Sequence, residues 1–118
     1  MNILKKIEEW RRGYSDDDTR NLTRLVIDRV KGPLKEFVLR EAEHGTVDTL
    51  PKEFKTDPAA WLLILQKMYL AFNHEWLMLH DPKNRLTRNM SPEEKKIHYA
   101  TVEEGFELFG KYYRDLWY

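Results

Sequence analysis

Residues 61–79 read WLLILQKMYLAFNHEWLML, and only Gln66, Lys67, Asn73, His74 and Glu75 among them are polar. A surface helix carries an apolar stripe and a broad polar face, so a helix this apolar is expected to be covered on most sides by other helices. Asp57-Pro58 supplies its start, Asp as N-cap and Pro at the first helical position. His80-Asp81-Pro82 marks its end. Charge in the middle of the stretch argues against a membrane span, because a central lysine in lipid costs roughly 2.5 kcal/mol or more. Gln66 and Asn73, like Lys67 and His74, are seven residues apart and superpose two turns up, with Leu70 between them. This polar strip is either the solvent edge of a well-covered helix, the commoner arrangement, or the polar wall of a ligand pocket.

Working outward, Ser91-Pro92-Glu93-Glu94 reads as a capping box that opens a long last helix. Val102, Phe106, Phe109, Tyr113 and Leu116 follow at helical spacing, and Gly105 and Gly110 suggest close approach of a neighbouring helix. The connection between the two helices, Lys83 to Asn89, is polar and cationic. Upstream, residues 46–56 lack a helical period and form a loop anchored by Val47, Leu50 and Phe54. Ile3, Leu4, Ile7, Trp10 and Tyr14 define a short amphipathic helix ended by Gly13 and Tyr14. Ser15, followed by three aspartates, starts a second helix with Leu22, Leu25, Val26, Ile27 and Val30 turned inward. Gly32-Pro33 is expected to break or kink it, with a new start at Pro33 that carries Leu34, Phe37, Val38 and Leu39 as far as Glu43-His44-Gly45. No segment has β periodicity. The expectation is an all-α single domain over residues 1–118, a compact bundle of about five helices with a long central apolar helix.

Composition narrows the function. At 118 residues the chain can bury a core without disulfides. Twenty Lys and Arg balance twenty Asp and Glu, which argues against nucleic acid as the main partner, since binding a polyanion needs clustered excess cation. The absence of cysteine removes thiol catalysis and thiolate metal sites.

Few residues offer chemistry. Glu41 and His44 form one Glu-x-x-His pair, where di-metal bundles use two, and Glu94 with His98 share a face; neither amounts to a metal site. No metal, cofactor or catalytic residue is assigned. Glu103-Glu104, with Glu107, approach the paired-acid pattern of all-α nucleotide pyrophosphatases but lack the converging oxygens of a Mg²⁺ cage. A small anionic or nucleotide ligand needs only a few groups, and Gln66, Asn73, His74, Arg85, Arg88 and Tyr112 are the candidates for holding one. Fifteen aromatic residues are more than so small a bundle can seat, so Phe109, Tyr113 and Trp117 are assigned to an interface, with a homodimer expected.

The second half also resembles a family of small all-helical accessory proteins of tailed bacteriophages. The resemblance rests on Leu50-Pro51 with Glu53-Phe54, on Trp61, Leu65, Met68, Ala71 and Phe72, and above all on residues 103–117, EEGFELFGKYYRDLW, a run of the form EEGxxLFxKYxRxLW. It covers residues 34–118 and brings no catalytic residue with it. It implies an accessory product acting in the cytoplasm of an infected bacterial host. The function expected is inhibition or sequestration of a host component, a defence-related protein or a small signalling ligand. Two alternatives are a small metal-dependent nucleotide hydrolase and a structural accessory to phage replication or packaging.

Overall fold

The computed structural model describes residues 3–44, 50–81 and 85–116. They form α1 (Ile3–Arg12), α2 (Asp16–Arg20), α3 (Leu22–His44), α4 (Pro58–Leu79), α5 (Arg85–Arg88) and α6 (Pro92–Tyr112). Short 3-10 turns occupy Lys52–Phe54 and Tyr113–Asp115. The described residues contain no strand, and the class is all-α. No helix among them is long and apolar enough to cross a membrane.

The quoted stretch lies in α4, which starts as its sequence dictates. Asp57 accepts a hydrogen bond from the Ala60 amide at 3.1 Å, and Pro58 occupies the first turn. Both α3 and α6 pack on α4. Trp61, Leu65, Met68 and Phe72 are the largest fully buried side chains, joined by Ile27, Leu34, Phe37 and Val38 of α3 and by Tyr112 of α6. Burial of each large apolar side chain contributes roughly 1.5–3 kcal/mol. Phe72 meets Phe106 and Phe109 edge-on, at 5.0 and 4.9 Å between ring centres. At Gly105 α6 lies close against α4, since a methyl group there would overlap the Ala71 side chain and the Lys67 carbonyl. Gly110, by contrast, faces open space and marks no close approach.

One expectation for this helix needs correcting. α4 is covered on two flanks, but its outer face is open: Leu63, Leu70 and Leu77 are 60%, 42% and 37% exposed.

The first third of the chain departs more from its reading. Gly13, at φ +82°, ends α1, and Ser15 forms a full capping box with Asp18. The helix that Ser15 starts ends after five residues. Asn21 takes a non-helical backbone, and its side-chain oxygen accepts from the Arg24 amide at 3.0 Å, which caps α3. The break thus falls at Asn21, and α3 runs unbroken through Gly32-Pro33. Ile27, Leu34, Val38 and Glu41 lie at i, i+7, i+11 and i+14 and are all buried, so burial on one continuous face outweighs the single helical hydrogen bond that Pro33 removes. Pro33 itself lies on the exposed side, away from α4. Leu22 and Val26, expected inward, are exposed, and α1 buries none of its residues.

Candidate functional site: a groove between α3 and α6

Cross-helix contacts fix the direction of the three long helices. His80 meets Asp28 at 2.7 Å and Lys31 lies 4.0 Å above the Trp76 ring, so α3 and α4 are antiparallel. His74 meets His98 and Lys67 meets Glu104, so α4 and α6 are antiparallel too. α3 and α6 therefore run in the same direction on the two flanks of α4.

Between them lie two successive clefts. The first, of about 520 Å³, is lined by Leu22, Val26 and Ile27 of α3, Phe106 of α6 and Glu75 of α4. The second, of about 540 Å³, is lined by Val30, Pro33, Leu34 and Phe37 facing Phe109, Tyr113 and Leu116. On α3, Leu22, Val26, Val30, Pro33 and Phe37 recur at i, i+4, i+8, i+11 and i+15, which is one helical stripe. Opposite, Phe106, Phe109 and Tyr113 recur at i, i+3 and i+7. The two clefts are thus consecutive parts of one apolar groove that rises along both helices. Arg29 and Glu36 give its second part a charged edge. Pro33 adds a polar handle, because it has no amide hydrogen and the Arg29 carbonyl loses the donor that an uninterrupted helix would supply.

The residues singled out from the sequence divide between this groove and other places. Phe109 and Tyr113, assigned to an interface, both line it. Trp117 and the Arg85 side chain lie outside the described residues. Gln66, Asn73 and His74 belong to the outer side of α4, where Gln66 is exposed and the other two half-buried, and none of them lines a cleft of the groove. Arg88 is exposed on α5. Tyr112 is buried against Trp61 and Phe54, and its hydroxyl donates to Glu53 at 2.6 Å, which raises its pKa above 10.0. These candidates are not gathered into one pocket, and Tyr112 is part of the core.

The acid and imidazole pairs are likewise accounted for. Glu104 is bound to Lys67 at 2.9 Å on the surface. Glu41 is buried on α3, and the His44 side chain lies outside the described residues. Among the described residues no three His, Cys, Asp or Glu side chains come together as metal ligands. His98 is buried, and its Nδ1 faces that of His74 at 3.0 Å, one ring donating and the other accepting. Burial, and then the charge of His98, hold the His74 pKa below 6.5. Asp28 is held below 3.8, chiefly by its hydrogen bond with His80.

The α3 side of the groove was hidden in the sequence by the expected break at Gly32-Pro33. Read straight through that dipeptide, the spacing of Leu22, Val26, Val30, Pro33 and Phe37 would have revealed a second apolar stripe beside the buried one. Against known proteins, the chain matches no protein-family model, no curated protein and no solved structure.

Proposed function

We propose that this chain is a bacteriophage accessory protein that works by binding, taking an apolar helical segment of a host protein into the groove between α3 and α6. The target is a defence-related host protein in the cytoplasm of the infected bacterium, which the bound chain inhibits or sequesters. The observation that carries this reading is the pair of facing apolar stripes. A groove of that form accepts the apolar face of an amphipathic helix through anchors one turn apart. The resemblance of residues 103–117 to phage accessory proteins supplies the setting, and that run includes Phe109 and Tyr113.

A small signalling ligand is the second reading. The 540 Å³ cleft falls in the range of ligand pockets, about 300–1,000 Å³, with Arg29 available for an anionic group. Hydrolysis through Glu103, Glu104 and Glu107 has less support, because Lys67 already engages Glu104 and the acids do not converge with other ligands among the described residues.

A photo-crosslinking amino acid placed at Tyr113 tests the proposal, with the same group at Tyr99, exposed elsewhere on α6, as the control. In lysate of infected cells the group at position 113 is expected to capture a host protein that position 99 does not. Equal labelling from both positions, or none from 113, would overturn the reading.

A further inference from the structure

The outer face of α4 is unlike the rest of the surface. Leu63, Leu70 and Leu77 stand one heptad apart and exposed, and Gln66 and Asn73 occupy the positions between them. A helix face turned permanently to water is normally polar, whereas leucine repeating at a heptad position belongs to helix–helix seams, in which an interspersed amide specifies register at some cost in stability. Lys67 is the one charged residue next to this stripe, and Glu104 of the same chain already neutralises it at 2.9 Å. Nothing on the face therefore calls for a charged partner.

We infer that this face is where a second copy of the chain docks, with the two α4 helices antiparallel about a two-fold axis through Leu70. Under that symmetry Leu63 of one copy lies level with Leu77 of the other, and the leucines meet along about 21 Å of helix. Gln66 comes level with His74 of the second copy and Lys67 with its Asn73, so leucines meet leucines and polar residues meet polar residues. A parallel pairing would instead set Lys67 level with Lys67, without the Asn73 that the antiparallel arrangement places beside each. The groove between α3 and α6 is on the opposite side of α4, so each copy keeps its groove open. The dimer is independent of any host target. A single helix pair of this length is a small interface, so a weak, concentration-dependent dimer is expected.

The chain has no cysteine, which allows a direct test. Leu70→Cys is expected to form a disulfide-linked dimer with itself on mild oxidation. Leu63→Cys and Leu77→Cys are each expected to couple poorly alone and to form a mixed dimer when combined. Sedimentation equilibrium over roughly 1–200 μM should show a monomer–dimer equilibrium for the native chain, shifted at least tenfold toward monomer by Leu70→Glu, with circular dichroism confirming that the variant is folded. A monomer throughout that range, self-coupling of Leu63→Cys as efficient as that of Leu70→Cys, or a dimer that Leu70→Glu leaves intact and Tyr113→Glu dissociates would each overturn the inference.

Discussion

The Nδ1 atoms of His74 and His98 face each other at 3.0 Å across the contact between α4 and α6. One ring must donate and the other accept, so the contact exists only while at least one of them is neutral. The folded state keeps the His74 pKa below 6.5, and unfolding returns it to that value. At pH values near and below 6.5 the unfolded chain thus binds more protons than the folded one, and stability must fall as pH falls. The contribution is complete above about pH 7 and declines as pH drops through 6.5. Asp16 and Asp28, whose pKa values are lowered from 3.8, act only in more acidic solution. The urea midpoint is expected to fall between pH 7 and pH 5, and His74→Gln should flatten that dependence. Equal midpoints for the native chain at the two pH values would refute the assignment.

Two glycines of α6 should respond to the same substitution with opposite sign. Gly105→Ala places a methyl group against the Lys67 carbonyl and Ala71, a backbone contact that cannot yield without moving a helix. A loss of about 1–3 kcal/mol is expected. Gly110→Ala meets open space inside a helix and should stabilise by about 0.5–1 kcal/mol through the unfolded chain's lower entropy. Chemical denaturation of the two variants side by side decides this, and equal effects would show that the packing of α6 on α4 is misplaced.

Pro33→Ala tests the continuity of α3. Pro33 is exposed inside the helix, so alanine restores a donor for the Arg29 carbonyl without disturbing the core. Stability should rise, by up to about 3 kcal/mol. If the chain were broken here, as the dipeptide suggests on its own, the substitution would bring no gain.

The hydroxyl of Tyr112 donates to Glu53, a partner that remains exposed to water. Tyr112→Phe keeps the ring among Phe54 and Trp61 and loses only that bond, so a cost of about 0.5–1.5 kcal/mol is expected, with the groove unaffected. Trp61→Ala removes the centre of the same cluster and should cost about 3–5 kcal/mol. Thermal unfolding of both variants measures the difference.

How far the sequence could be read differs along the chain. The caps at Ser15, Asp57 and Ser91 were legible because a short polar side chain before an acidic or proline-led first turn acts locally. The close approach at Gly105 was legible as well, although the same signal at Gly110 marked none, because a glycine shows only that a helix can be approached, not that it is. Three features were not, and each depends on tertiary packing. Asn21 caps α3 where the apolar pattern continues through it, and nothing local separates a capping Asn from a solvated one. Gly32-Pro33 reads as a break, but the buried face on either side keeps the helix in one piece. Leu63, Leu70 and Leu77 look like core in a helix this apolar, and only the placement of α3 and α6 shows which third of α4 they leave open. The groove follows from that same placement. Its α6 side, Phe109 and Tyr113, could be anticipated from an excess of aromatic residues, whereas its α3 side depended on reading through the proline.

The claim that this groove is the working surface is tested most directly by affinity capture from infected-host lysate. The native chain and Tyr113→Glu would be compared, with bound proteins and small molecules both quantified by mass spectrometry. Tyr113 is half-exposed, so the substitution leaves the core intact while placing a charge in the groove. A host protein retained by the native chain is expected to be lost, at least tenfold, from the variant. Retention of the same partners by both proteins would contradict it.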